Sequence, residues 1–337
     1  MTSDLIIKNE TIIYVACPAN IATGGPELLQ QLVFELRKFG LNANIYYYSY
    51  KNQNPVHEAY IKYNNPYTTK IIDSLDNILI VPEVKTNLLF EYKNVQKVIW
   101  WLSIDNYYNA FNHKNSIKRF LKNISYKIGL KKIYKFNTHC NIKHFVQSEY
   151  AKQHLYAKGV SNIHFLGDYL NDVFITNQLS KQQTIKKDIV VYNPQKGIEF
   201  TQKIISSESS ISFIPIHNMT REQVSDLLSQ AKVYIDFGNH PGKDRIPREA
   251  TISGCCIITN RMGSANYYQD VPIDDEFKFD NHIDEISNII KKIKDCLDNY
   301  EQYTARFESY RTMIVGEQEQ FIKDIKKIFL IDKSKVD

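Results

Sequence analysis

Residues 188–260 read DIVVYNPQKGIEFTQKIISSESSISFIPIHNMTREQVSDLLSQAKVYIDFGNHPGKDRIPREATISGCCIITN. Four short apolar runs, DIVVY, ISFIPI, KVYIDFG and CCIIT, have the length and β-branched content of buried strands. Between them KGIEFTQKII, REQVSDLLSQA and REATISG carry helical spacing. Strand, helix, strand in succession requires crossover connections, hence parallel strands with right-handed crossovers. The first half repeats the alternation. Thr11–Cys17 (TIIYVAC) is a strand bounded by Pro18, and LLQQLVFELRKFG is a helix with an apolar stripe at Leu28, Leu29, Leu32, Val33 and Leu36, closed by Gly40. Further strands are expected at Asn44–Ser49, Asn77–Val81, Val95–Leu102, His144–Gln147 and Ile163–Leu166. The fold class is α/β: two Rossmann-like, doubly wound domains in series, expected to face each other across a cleft.

The polar stretch NQLSKQQTIKKD breaks the alternation and reads as a linker or surface hairpin. The expected organisation is a first domain over 1–172, a linker over 173–187, a second domain over 188–308 and a C-terminal helical segment over 309–337. Two amphipathic stretches, Ile283–Leu297 and Tyr303–Phe329, close the chain. A length of 337 residues suits two domains. Five cysteines do not read as a disulfide framework, and Cys255–Cys256 sit in an apolar run as buried thiols. The start MTSDLIIKNE lacks the basic-then-apolar pattern of a secretory signal, and no run approaches the roughly 20 apolar residues that span a bilayer. A reducing, cytoplasmic setting is expected.

The net charge of +5 is unevenly spread. Between Asp105 and Glu149 there are nine basic residues and no acidic one, which leaves the remainder slightly acidic. Such a chain is not the all-over basic surface of a non-specific nucleic-acid binder. The stretch 113–135 interleaves Lys118, Arg119 and Lys122 with Ile117, Phe120 and Leu121. It reads either as a membrane-surface helix for the inner face of the cytoplasmic membrane or as a solvated lysine face over an ordinary core stripe.

Three strand-to-helix turns carry candidate chemistry. Thr23-Gly24-Gly25-Pro26-Glu27 follows the first strand; it is either a structural turn or a backbone approach to an anion at a helix N-terminus. Tyr192–Gly197 places Lys196 at a helix start, where a cation opposes the macrodipole unless an anion bridges them. Asp236–Ala250 gathers His240, Lys243, Arg245 and Arg248 just after a strand, with Glu249 inside the following helix. That cluster suits a diphosphate, with bidentate contacts from arginine, and Glu249 suits a ribose diol. The alternative is a solvated loop. Trp100–Tyr107 ends another strand and offers Ser103 and Asp105 for acceptor hydroxyls or as a base, or Asp105 as a plain capping residue. No HExxH, clustered Cys/His spacing or short Asp-x-Asp is present, so no metal is expected.

KGIEFTQKII, KVYIDFG and IPREATISGCCIITNRMGSA resemble the C-terminal domain of GT-B glycosyltransferases. The likeness is to the large retaining family 4, or group 1, typified by bacterial polysaccharide and lipopolysaccharide transferases. Aligned on that family's Pro-x-Glu-Ala core, Glu249 takes the position that holds the nucleotide ribose. Pro241 stands where the family usually has a glutamate contacting the donor sugar. Lys196 matches the family's lysine for the donor phosphates, with Val190 in place of the arginine six residues earlier. Gly263-Ser264-Ala265 matches a small-residue turn near the donor, and Thr23-Gly24-Gly25 the glycine-rich first loop. The resemblance implies a glycosyltransferase that moves a sugar from a nucleotide-sugar donor to a glycan or lipid-linked acceptor in bacterial cell-surface polysaccharide synthesis, with retention and without a metal cofactor. It assigns Asp105, Lys243 and Arg245 to catalysis, and Gly24, Gly25, Lys196, His240, Arg248, Glu249, Gly263 and Ser264 to the donor. It also implies a last helix that crosses back to the first domain. His240-Pro241 is similar to the His-Pro element of transferases using CMP-activated Kdo or sialic acid, an alternative donor class. Two readings of a different kind stay open: a nucleotide-sugar epimerase of the same fold, and a non-catalytic binding subunit.

Overall fold

The protein is described by a computed structural model covering residues 5–48, 54–110, 132–136, 138–139, 141–180 and 184–329. It divides into two compact units, Met1–Asp168 with Glu319–Asp337, and Tyr169–Gln318.

The first unit holds a seven-stranded parallel sheet: β1 (Ile12–Pro18), β2 (Asn42–Tyr48), β3 (Tyr67–Thr68), β4 (Ile78–Pro82), β5 (Gln96–Trp101), β6 (Lys143–Val146) and β7 (Ile163–Phe165). Their order is β3-β2-β1-β4-β5-β6-β7. Ile13 to Cys17 are all buried, as a central strand covered on both faces requires. Helix α1 (Gly24–Lys38) follows β1 and buries Leu28, Leu29, Leu32, Val33 and Leu36. It stops where Gly40 takes φ +75, a conformation that favours glycine. A short helix α2 (Ile104–Asn109) is capped by Ser103, whose hydroxyl accepts the Asn106 N–H. In α3 (Glu149–Ala157) Ser148 plays the same part for Ala151. The strand order reverses between β1 and β4, the place where open α/β sheets bind ligands outside the strands' carboxyl ends.

The second unit begins with α4 (Asp172–Ser180) and carries β8 (Lys187–Tyr192), α5 (Ile198–Ser207), β9 (Ser212–Pro215), α6 (Arg221–Gln230), β10 (Ala231–Asp236), α7 (Arg245–Ile252), β11 (Cys256–Asn260) and β12 (Lys278–Phe279). The five parallel strands run β9-β8-β10-β11-β12, so this sheet switches direction between β8 and β10. Its core is Val190, Val191, Val233, Tyr234, Ile235, Ile257 and Ile258 with the apolar face of α8 (Ile286–Asp298). Full burial of Ile289 and Ile293 contributes roughly 2–3 kcal/mol each. A reciprocal capping box at Thr220 and Gln223 starts α6.

Two sequence expectations need correction. The linker expected over 173–187 is in part the helix α4: Phe174 and Ile175 pack on the second core, while buried Gln178 bonds to Ser225 and accepts from Ser253 Oγ at 3.0 Å. The Gln178 amide makes this segment look solvated, yet it satisfies buried hydroxyls. The closing stretch is also more broken than its pattern, with α8 followed by α9 (Tyr300–Ala305) and α10 (Glu308–Ile328). A turn at Arg306–Phe307 sends Phe307 into the core, 4.8 Å from the Phe277 ring centre, and lets Arg306 pair with Asp274. The last part of α10 belongs to the first unit, where Phe321 stacks on Trp100 and Phe329 meets Phe145 edge-on. No helix among the described residues is long and apolar enough to cross a membrane. Residues 113–131 of the basic stretch lie outside the described residues.

Candidate active site

In the second unit three loops converge at the carboxyl edge of the sheet, beside its switch point. The loop after β8 brings Lys196, the loop after β10 brings Phe237–Asp244, and the loop after β11 brings Gly263 and Ser264. Glycines make the approach possible. Gly197 adopts φ +63, and a Cβ there would lie 2.4 Å from the Phe237 carbonyl oxygen. Gly263 adopts φ +57, and a Cβ there would lie 2.0 Å from the His240 oxygen. Ser264 N–H donates to that same oxygen at 2.9 Å, and Ser264 Oγ donates to Gly242 O at 2.6 Å. Asn260 Nδ2 donates to Gly238 O and Asn281 Nδ2 to Phe237 O, so the β10 loop is pinned from two further elements.

The charges in this assembly are paired. Lys196 Nζ lies 3.0 Å from Asp236 Oδ2 and 2.5 Å from Asp244 Oδ2, and it donates to Asn239 O at 3.2 Å. Burial pulls the Lys196 ammonium down, but Asp236 and Asp244 outweigh it and hold its pKa above the ordinary lysine value. Burial likewise opposes the Asp244 carboxylate, and hydrogen bonding from His240 with the Lys196 charge holds its pKa below the usual carboxylate range. Lys243 Nζ is 2.7 Å from Glu317 Oε1, and Arg248 is 2.7 Å from Glu317 Oε2. Arg245 Nε sits 3.6 Å from Glu249 Oε1, one helical turn on. Four cations thus face four carboxylates, Asp236, Asp244, Glu249 and Glu317. The excess of positive charge expected from 236–250 is balanced within the same unit.

The expected donor residues therefore separate by burial. Lys196, Lys243, Arg245 and Glu249 keep some exposure. Arg248 has none: its guanidinium is spent on Glu317 and on the carbonyls of Asp244 and Lys243. Three residues beyond Arg245, it faces inward on α7 and ties that helix to α10, so its assignment to the donor is corrected to a structural one. His240 is also fully buried, with Nδ1 2.9 Å from Asp244 Oδ2 and Nε2 3.4 Å from Asp236 O. Its ring braces the loop between Asp236 and Asp244. Asp236, His240 and Asp244 bring potential metal-donor atoms within 4.8 Å of one another. The Lys196 ammonium sits against both carboxylates of that cradle, so a side-chain cation fits where a metal ion would.

Gly24, Gly25 and Asp105 lie in the first unit, at the carboxyl edge of its sheet. Gly24 and Gly25 open α1, and a Cβ on Gly25 would meet Leu102 Cδ1 at an ordinary 3.6 Å. Asp105, in the first turn of α2, accepts the Tyr150 hydroxyl at 3.0 Å. Sequence reasoning passed over Asp236, Asp244 and Glu317. The first two could have been found by asking which anions lie near so many cations; Glu317, far along the chain, gives no local signal.

No protein-family model matches the chain. It is 25% identical over 263 residues to an alpha-1,6-glucosyltransferase of Actinobacillus pleuropneumoniae serotype 7, covering 75% of this chain and 73% of that protein. Among solved structures it is similar to sucrose-phosphate synthase from Thermosynechococcus elongatus, with a TM-score of 0.64, 10% identity and coverage of 95% and 98%. It is also similar to TarM of S. aureus, with a TM-score of 0.54 and 17% identity. That match takes in 77% of this chain but only 56% of TarM. The two-sheet architecture is the GT-B fold. Its sequence is similar to that of a glucosyltransferase.

Proposed function

We propose that the protein transfers a hexosyl group from a UDP-sugar to a hydroxyl of a glycan or lipid-linked acceptor in cell-surface polysaccharide synthesis. The observation that carries this reading is the convergence of Lys196, Lys243, Arg245, Glu249 and the Gly263–Ser264 turn at the switch point of the second sheet. The glucosyltransferase activity of the A. pleuropneumoniae relative and the UDP found in the TarM structure support the donor class.

In this reading the departing diphosphate draws Lys196 from Asp244 and Arg245 from Glu249, exchanging carboxylate partners for phosphate oxygens. Cations already held in place need little reorganisation as charge develops on the leaving group, which is where electrostatic catalysis is strongest. Glu249, relieved of Arg245, accepts hydrogen bonds from the ribose diol. Asp105 serves the acceptor side, and the Gly24–Gly25 turn faces the donor phosphates. Retention is part of the proposal, since an α-linked product from an α-linked nucleotide sugar keeps its configuration. So is metal independence, in which Lys196, Lys243 and Arg245 balance the diphosphate charge that a divalent ion would otherwise meet.

A melting-temperature screen with UDP, GDP, CMP and dTDP tests the donor class. A ligand at 100 times its dissociation constant stabilises by about 2.7 kcal/mol, and UDP should give the largest shift. UDP release from UDP-glucose should persist in EDTA and fall in Lys243→Ala, Arg245→Ala and Glu249→Ala. Wild-type turnover in all three would reject the site.

A further inference from the structure

The first unit contains a buried acid to which the proposed transfer gives no role. Glu83 follows Pro82 at the carboxyl end of β4, directly at the β1–β4 switch point, and is 2% exposed. Its Oε2 accepts the Leu102 N–H at 3.0 Å, and the nearby Ser103 N–H also favours its ionised form. Leu102 and Ser103 form the corner between β5 and α2. From this corner Leu102 reaches to the start of α1 at Gly25, and Ser103 caps the helix that carries Asp105. A single carboxylate therefore fastens the corner between the glycine turn and the acid assigned to the acceptor.

We propose that Glu83 is a positioning residue for glycosyl transfer: its ionised carboxylate holds the Leu102–Ser103 corner, and with it Asp105, while protonation slackens that hold and slows turnover. The inference rests on the function proposed above. Burial pushes the Glu83 carboxyl up to about 7, although the backbone N–H groups of Leu102, Glu83 and Ser103 oppose the rise. Other titratable groups lie around it. Burial raises the Tyr48 hydroxyl pKa on β2, and the charges of Cys17 and Glu83 raise it further. Burial also pushes Cys17 on β1 up to about 12. Lys85 lies 4.9 Å from the centre of the Tyr48 ring. Asp105 on α2 is engaged by Tyr150. Burial thus moves Glu83 toward neutrality and the Tyr48 and Cys17 protons away from it.

The test uses the full chain and Glu83→Gln, which keeps an acceptor oxygen but cannot ionise. Wild-type kcat for UDP release from UDP-glucose should fall about tenfold between pH 8 and pH 6, as ionisation is lost. Glu83→Gln should lose that acid limb and show a lower kcat at pH 8, with KM for UDP-glucose unchanged. A second measurement needs no substrate. Hydrogen exchange at the Leu102 and Ser103 amides, corrected for intrinsic rates, should show protection that rises with pH in the wild type and stays flat in Glu83→Gln. The same acid limb in both proteins, or the same exchange profile, would overturn the inference. If the wild type releases no UDP under any condition, the proposed function fails and the exchange profiles alone decide the role of Glu83.

Discussion

Glu317→Ala is the perturbation whose effect the geometry sets most tightly. Its two carboxylate oxygens hold Lys243 and Arg248, each at 2.7 Å, from a side chain that is itself buried. Removing it strands two cations of different kinds. The Lys243 side chain retains 11% exposure and can turn to water, so its share of the loss is small. Arg248 is fully buried and cannot. Breaking a buried pair from one side costs ~3–5 kcal/mol. Because Arg248 keeps the Asp244 and Lys243 carbonyls, each at 3.2 Å, the expected loss is ~3 kcal/mol, the lower end of that range. For a unit of this size that lowers the melting temperature by roughly 6–12 °C. The assay is thermal and urea unfolding of Glu317→Ala beside the double variant Arg248→Met/Glu317→Leu. The double variant replaces the pair with apolar volume and should recover most of the loss. UDP affinity should not fall in Glu317→Ala, because Lys243 is freed for phosphate. Unchanged melting in the single variant, or a double variant no better than the single, would refute the account of Arg248 as a structural cation.

Three further outcomes are expected. Gly263→Ala places a Cβ against the His240 carbonyl and forces an L residue to φ +57; it should unfold the second unit at lower temperature and abolish UDP binding in any folded fraction. Gly238→Ala pushes a methyl to within 2.3 Å of Lys196 Cγ, so UDP binding should weaken at least tenfold while the far-ultraviolet circular dichroism stays unchanged. His144 is buried against Trp101 and Tyr134, and desolvation lowers its pKa to about 3. A folded pKa below the unfolded one means that its stabilisation is present above about pH 6.5 and is lost as pH falls toward 3. Stability of the wild type should therefore drop with acid through that window, and His144→Gln should flatten this part of the profile in urea titrations.

Most of the strand and helix succession was legible because parallel strands are covered on both faces and must be nearly all apolar. TIIYVAC and KVYIDFG have no other comfortable place. The edge strands β3 and β12, two residues each, carry too little pattern to read. Segment 172–180 misled because its helix spends Gln178 on buried hydroxyls, and polarity along a sequence does not distinguish a satisfied amide from a solvated one. The candidate site divides in the same way. Lys196, Lys243, Arg245 and Glu249 were visible as residue types at strand-to-helix turns. Their neutralisation was not, because Asp236 and Glu317 reach them through tertiary packing. Arg248 and Arg245 look equivalent as letters, and only the helical phase of α7 buries one and leaves the other accessible. Glu83 gave one overlooked hint, an acid immediately after the apolar run NILIV at the end of a central strand.

The end of α10 completes the core around Trp100 and Phe145, which belong to the part of the chain synthesised first. On the ribosome these two rings must wait, without Phe321 and Phe329, until all of the second unit has been translated. The amino-terminal half is therefore the later of the two to mature. A stop codon or protease cut in the final helix would injure it more than the half in which that helix begins.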